Sequence, residues 1–463
     1  MLIRDLGIIP AQQTPAAGSE PSPYVNLSRR GFMGGAGLFV LGVTLAGCSS
    51  YVEPEIDADA FNLKDPGPSP LTAVKGGDAT PALWIAIERD GTIKITCHRS
   101  EMGQQVWTSM AQIVADELEA EWDKVRIVQA EGHERYGDQN TDGSRSVRFN
   151  FHRLRVAGAA MRQMLVAAAA LYWKLPEDQC SAKAGFVSNT KNDETLSYGN
   201  LAELAGKLAI PAEADVKLKS PKEWRYINAE IPSLTVPRIV KGESTYGIDV
   251  KRPGMVYAVV ARPPQLFGRV GSVDDAKALA IPGVHAVLTA DDLKPLKLHW
   301  MPTLAGDVAA VLADEKVHFQ MQEVAIVIAD DRYIAADAVE AVEVEYDELP
   351  VVLDPYAALL PDAPVLREDL AGKTSGAHGP REHHNHIFTW DAGDKAAADA
   401  AFDAAPIKVS QHMHYPRVHP CPLETCGCVA SFDPVRGDLT TYITSQAPHV
   451  VRTVVSMLSG IPE

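Results

Sequence analysis

Residues 97–118, CHRSEMGQQVWTSMAQIVADEL, place Glu101, Met102, Gly103 and two amides, Gln104 and Gln105, in a loop that runs directly into an amphipathic helix. A glycine followed by amides at a helix entrance gathers three kinds of donor: backbone N–H groups, the positive end of the helix dipole and side-chain amides. These suit an anionic ligand rich in hydrogen-bonding edges. By itself the pattern is also that of an ordinary helix cap.

A second concentration of chemistry is Cys421-Pro-Leu-Glu-Thr-Cys426-Gly-Cys428, with His414 and His419 just upstream. Three thiols at that spacing invite a soft metal, but a structural zinc or iron–sulfur site needs a second ligand pair a loop away, and the sequence supplies none. No protein-held metal is therefore assigned. Of the other three cysteines, Cys97 and Cys180 are isolated and Cys48 belongs to the leader.

The elements that must position these groups follow from periodicity. ALWIAIERDGTIKITCH alternates apolar and polar residues about Asp90-Gly91, which predicts a hairpin. Helical spacing follows in VWTSMAQIVADELEAEW and again from Leu154 to Trp173, where Ala and Gly form a small-residue face suited to close packing. A Pro- and charge-rich stretch near 211–237 reads as a linker. Beyond it, Val, Ile and Tyr runs around DRYIAADAVEAV describe a compact α/β unit.

Composition sets the limits. With 463 residues, 46% hydrophobic and 22% charged, the chain can bury several cores and should form more than one domain. Its net charge of −17 is spread along the chain and argues against nucleic acid as a partner. At the N-terminus Arg29 and Arg30 precede the apolar run GGAGLFVLGVTLAG, the form of a twin-arginine export signal. Leu45-Ala46-Gly47-Cys48 then has the form of a lipoprotein processing site with Cys48 as the lipidated residue, the alternative being an ordinary signal cleaved a few residues later. The expected location is the periplasm, anchored to the membrane through lipid.

Taken with YGDQNTDGSRSVRFNFHRLRVAGAAMRQML at 136–165 and LSYGNLAEL at 196–204, the 97–118 segment resembles the large subunits of molybdenum hydroxylases of the xanthine dehydrogenase and aldehyde oxidase family. The N-terminal half is most similar to isoquinoline 1-oxidoreductase beta subunits. From about residue 298 the detail, including HPCPLETCGCVA, resembles carbon monoxide dehydrogenase large subunits. A natural fusion and a joining of two genes would each give this pattern.

The resemblance implies an α+β fold. Its expected order is a twin-arginine signal and lipoprotein site over 1–48, a tether over 49–80, a molybdopterin-binding module over 81–220, an aldehyde oxidase and xanthine dehydrogenase hammerhead α/β domain over 238–355, and the start of a second molybdopterin-binding domain over 370–463. It further implies that Gly103 and Gln104 bind the pterin, with Gln105 standing where the family motif Met-Gly-Gln-Gly ends in glycine. Gly143, Ser144 and Ser146 match a second cofactor loop, Gln446 matches an amide that approaches the apical oxo ligand of molybdenum, and Glu424 lies in a loop lining the substrate channel. The cofactor would be molybdopterin, the cytosine dinucleotide form included, with iron–sulfur clusters only in a small partner subunit and a FAD subunit or a cytochrome c as acceptor.

The implied reaction is oxidation of a small molecule, an aldehyde, an N-heterocycle or carbon monoxide, with water as oxygen donor. Family members continue past the position of Glu463 into a Gly-rich loop and a late Glu that acts as base, so the isolated chain is expected to be inactive. The contrasting reading is a lipid-anchored binding or assembly protein that keeps the fold without the catalysis.

Overall fold

The hairpin at Asp90-Gly91 forms in the computed structural model, which describes residues 84–133, 136–302, 308–368, 384–386 and 393–463. The leader, Cys48 and the 49–80 tether lie outside the described residues. Strands β1 (Ile85–Ile87) and β2 (Ile93–Cys97) pair antiparallel, Ile85 opposite Ile95 and Ile87 opposite Ile93. Asp90 Oδ1 accepts the Thr92 N–H at 2.9 Å and so closes the turn. After helix α1 (Val106–Leu118), strand β3 (Val125–Gln129) returns parallel to β2, giving the sheet order β1-β2-β3.

Helix α2 (Arg145–Arg148) is a single turn, and α3 (Phe151–Trp173) is the central helix of the module. Its small-residue face packs against α1 as the sequence predicts. A Cβ added at Gly158 would sit 2.6 Å from the Val114 carbonyl oxygen, so only glycine admits this approach. By length and composition α3 qualifies as a membrane span, yet 72% of its most apolar window is buried in the module. It is a core helix. Strands β4 (Cys180–Lys183), β5 (Phe186–Asn189) and β6 (Thr195–Ser197) form an antiparallel sheet beside it, and α4 (Tyr198–Ala205) follows. One core unites Trp84, Ile93, Met110, Leu118, Leu165 and Tyr198 across the two sheets and helices α1, α3 and α4.

The stretch read as a linker near 211–237 is instead a strap bound to α1 and α3. Asp116 and Glu117, two carboxylates with fully buried side chains on α1, are the reason. Asp116 Oδ2 accepts the backbone N–H groups of Arg225, Tyr226 and Ile227 at 2.8–2.9 Å, while Oδ1 takes Lys219 Nζ at 2.6 Å. Glu117 holds Arg155 at 2.8 Å from α3 and the Lys219 N–H at 3.0 Å. Arg155 and Arg162 reach past it to the carbonyls of Lys219 and Lys217. Burial works to raise the Asp116 carboxyl, but Lys219 and the Ile227 and Tyr226 N–H groups outweigh it and leave it below its ordinary value. For Glu117 burial dominates, and its carboxyl lies above the ordinary value.

The next unit contains three antiparallel sheets. Strands β7 (Tyr257–Ala261), β9 (Val284–Thr289) and β13 (Ala325–Ala329) order as β7-β13-β9, with α5 (Ala276–Leu279) and α6 (Arg332–Glu340) contributing Ala278 and Ala338 to the core beneath. Strands β8 (Gly268–Asp274), β12 (Lys316–Val317) and β14 (Glu343–Glu348) order as β12-β8-β14. The third sheet is the pair β10 (Trp300–Pro302) and β11 (Val308–Ala310). Asp331 starts α6 by accepting the Tyr333 and Ile334 N–H groups.

The last segment holds α7 (Lys395–Ala404), the hairpin β15 (Cys428–Asp433) and β16 (Asp438–Ile443), and α8 (Pro448–Ser459). Between α7 and β15 the chain has neither helix nor strand, and Ile407, Val409, Met413, Tyr415, Val418 and Leu423 are exposed there.

The strap gives a direct test. Asp116→Ala leaves three strap N–H groups without their acceptor and Lys219 with Glu119 as its one remaining carboxylate partner, and is expected to cost about 3–5 kcal/mol, the scale for breaking a buried charged cluster. Urea unfolding measures the loss, and limited proteolysis should cut newly within 217–227. Wild-type stability with an intact strap would refute the assignment.

Candidate functional site

The loop from His98 to Gln105 connects β2 to α1 and is closed on itself. Glu101 Oε1 accepts the Gly103 N–H at 2.8 Å and the Gln105 N–H at 2.9 Å, and Oε2 accepts the Trp107 N–H at 3.2 Å. Gln104 folds back, donating from Nε2 to the Ser100 carbonyl at 3.1 Å and accepting the Met102 N–H at 2.6 Å. This corrects the expectation that the donors at the helix entrance stand open to an anion. The chain's own carboxylate takes them, because a helix start leaves N–H groups that the nearest acceptor satisfies. Gln105 adopts φ 64°, the left-handed region in which a side chain costs about 1–2 kcal/mol.

The second loop carries two consecutive left-handed residues, Gly143 at φ 49° and Ser144 at φ 57°, both exposed. Ser146 lies in α2, where its carbonyl accepts Asn150 Nδ2 at 2.8 Å. Below the loop Asp138 is nearly buried and faces three cationic or potentially cationic groups: Arg145 at 3.2 Å, Arg99 at 3.5 Å and His449 at 3.7 Å.

Gln446 lies three residues beyond the end of β16, and its main chain is tied to both loops. The Thr141 N–H donates to the Gln446 carbonyl at 2.8 Å, and Ser100 Oγ donates to the neighbouring Ser445 carbonyl at 2.9 Å. Thr141 Oγ1 accepts the Ser100 N–H at 2.7 Å. Arg452 of α8 donates to the Gly132 carbonyl at 2.7 Å. Thus the Gln104 loop, the Gly143–Ser144 loop and the Gln446 segment converge, although up to 345 residues separate the bonded pairs. Glu424 joins them through Thr444, whose Oγ1 donates to its carboxylate at 3.0 Å. The Gln446 side chain itself is exposed.

Sequence reasoning missed the buried polar residues beneath the loops. His98 and Arg99 are fully buried directly after β2, and Trp84 meets the His98 ring edge-on at 4.8 Å. Burial, then the charges of Arg99 and Arg153, hold His98 well below its ordinary 6.5. Burial also lowers His449, against the pull of Asp138. The available signal was the His98-Arg99 pair at the end of an alternating strand. Its partner Asp138 lies 39 residues further along the chain, so the pairing was invisible.

A pterin with a phosphate arm fits the donor set of these segments. Asn140 Oδ1, Arg148 Nε and His449 Nδ1 are buried without hydrogen-bond partners and offer both donor and acceptor character to such a group. The thiols behave differently. Cys421, Cys426 and Cys428 are free and exposed, with His419 Nδ1 3.1 Å from Cys421 Sγ. Among the described residues no group of three or more His, Cys, Asp or Glu side chains is gathered to hold a metal. Burial pushes the Cys97 thiol up to about 12, which leaves it a core residue.

Models of the molybdopterin cofactor-binding domain match residues 61–234 and 378–463, and the aldehyde oxidase and xanthine dehydrogenase a/b hammerhead domain matches 241–350. The chain belongs to the xanthine dehydrogenase and aldehyde oxidase family of molybdenum hydroxylases. The carbon monoxide dehydrogenase large chain of Hydrogenophaga pseudoflava is 80% identical over 226 residues, 49% of this chain and 28% of that one. Isoquinoline 1-oxidoreductase subunit beta of Brevundimonas diminuta is 30% identical over 327 residues, 62% of this chain and 39% of that one. The chain thus spans 28% and 39% of the length of these two relatives. A solved CO dehydrogenase from Oligotropha carboxidovorans is 58% identical, covering 50% of this chain and 28% of that one, with a TM-score of 0.47. The two converging loops and the Gln446 segment fall within the two cofactor-domain matches.

The two depressed histidines make the site sensitive to acid. Both are held below 6.5 in the folded protein, so as pH falls through about 6.5 the unfolded chain takes up protons that the folded one does not. Stability is therefore present above that value and is lost below it. The melting temperature is expected to fall between about pH 7.5 and 5.5, with a shallower fall in His449→Gln. Equal slopes in the two proteins would exclude His449 as a contributor.

Proposed function

We propose that this chain forms the molybdopterin-binding part of an exported molybdenum hydroxylase large subunit. The observation that carries the reading is the convergence of the Gln104 and Gly143–Ser144 loops on the Gln446 segment through the Ser100 and Thr141 hydrogen bonds. When bound, the molybdenum cofactor supplies a two-electron redox centre for a reaction in which water provides the oxygen. The substrate class is an aldehyde, an N-heterocycle or carbon monoxide, and electrons leave to a small iron–sulfur subunit and then to a FAD subunit or a cytochrome c.

In this reading Gln104, Gly143, Ser144 and Ser146 hold the pterin and its phosphate, and Gly103, at φ 94°, makes the turn that presents Gln104. The Gln446 main chain is fixed by Thr141, which leaves its exposed carboxamide to donate to an oxygen that gains negative charge during the reaction. Glu424, anchored by Thr444, lines the approach of the substrate. Arg29-Arg30 direct export, and lipid on Cys48 holds the protein at the membrane.

With the chain assembled into its full enzyme, Gln446→Ala should leave pterin content near wild type and lower turnover per bound cofactor by about 100-fold, the effect of removing one oriented donor. Gln104→Ala should lose cofactor first. Fluorescence of the oxidised pterin and dye-linked turnover separate the two. Normal turnover per cofactor in the Gln446 variant, or full pterin in the Gln104 variant, would remove the role assigned to that residue.

Targeting is tested independently. Replacing Arg29 and Arg30 with lysine should trap the precursor in the cytoplasm, since lysine lacks the planar guanidinium fork. Fractionation reads it out, and unchanged export would end the claim. Fatty-acid labelling that survives Cys48→Ala would end the lipid-anchor claim.

A further inference from the structure

We propose that Glu101 is a positioning residue that does for the cofactor loop what a glycine at position 105 would otherwise do: its carboxylate holds Gln105 in the left-handed conformation and thereby sets Gln104. The inference rests on the assignment of Gln104 to the pterin and adds how this chain shapes that loop.

At φ 64° an L side chain is disfavoured, and the conformation persists only where the surroundings fix it. Glu101 provides that fixation. One oxygen accepts the N–H groups on both sides of Gln104, from Gly103 and Gln105, and the other accepts from Trp107 in the first turn of α1. Only a carboxylate offers acceptors on both arms. The isosteric amide of glutamine would set an NH2 donor against one of these N–H donors.

The consequence travels in two directions. Within the loop, Gln104 is left one arrangement, bonded to the Ser100 carbonyl and the Met102 N–H. Ser100 in turn donates through Oγ to the Ser445 carbonyl, so the carboxylate also sets the face that receives the Gln446 segment. On the helix side, the Gln105 carbonyl accepts both the Ser109 N–H and Ser109 Oγ at 3.1 Å, which starts α1 from the same strained residue. The α1 entrance is thereby committed to an internal acceptor, and the pterin is left to the Gln104 amide and the Gly143–Ser144 loop.

The test compares the full chain with Glu101→Gln, Gln105→Gly and the double variant. In cofactor-free protein, hydrogen–deuterium exchange of the peptide spanning 99–108 should speed up by about tenfold in Glu101→Gln, while the α1 peptide from Ala111 onward stays within about twofold of wild type. In the assembled enzyme, Glu101→Gln should lose most of its molybdopterin, and the double variant should recover at least about half, because glycine adopts the left-handed conformation without the carboxylate. Unchanged exchange in Glu101→Gln overturns the proposal, as does a double variant no better than the single one. Wild-type enzyme that carries no molybdopterin would instead overturn the functional reading, and exchange would still decide the role of Glu101.

Discussion

Two adjacent carboxylates buried on one helix are the constraint on which the cofactor module depends. A buried ion cluster is weak evidence of stability, since desolvation offsets much of its attraction. What it does here is fix where the strap lies on α1. The strap over 211–237 crosses α1 and α3 with no helix longer than a turn, so its backbone N–H groups need acceptors that no ladder provides. Asp116 accepts three of them and Glu117 a fourth, so the strap is held on α1 at four backbone positions.

That clamp reaches the site through α1 itself. Arg155 and Arg162 fix α3 against α1 through Glu117, and the glycine contact at Gly158 sets their separation. With its C-terminal half locked in this way, α1 presents its N-terminus at a defined place at the end of β2. The Glu101 carboxylate then closes the loop between them. Rigid elements below and a self-satisfied loop above are the combination expected where a ligand must be met without reorganisation.

The local parts of this design were legible in the sequence, and the long-range parts were not. Alternation about Asp90-Gly91 gave the hairpin, and the Ala and Gly face of α3 gave its close packing, because both signals lie within one element. Gln105 stands where the family motif ends in glycine, and it is found at φ 64°. In sequence the strap has the proline and charge content of a solvated linker, and the carboxylates that bury it lie about 100 residues upstream. The loop donors were expected to be open because nothing in a linear reading says that Glu101 turns back to cover them. The same limit hid Asp138, whose partners come from three separate segments.

The joint between the two cofactor-domain segments combines two kinds of interaction that respond differently to the solution. Ser100 to Ser445 and Thr141 to Gln446 use a hydroxyl or backbone N–H donor and a backbone acceptor, so neither salt nor mild acid alters them directly. The Asp138 centre is electrostatic and nearly dry: Arg99 and Arg145 supply permanent charge, and His449 adds a third cation only when protonated. Burial of His449 disfavours that state, so near neutrality two guanidinium groups face one carboxylate, with Asp142 taking part of the Arg145 charge. Protonating His449 would place a third positive group around Asp138 beside the buried Arg99. Because the hydrogen bonds fix register and the ionic centre supplies the acid response, weakening the centre should loosen α8 and the Gln446 segment while the Gln104 loop, closed on Glu101, keeps its shape.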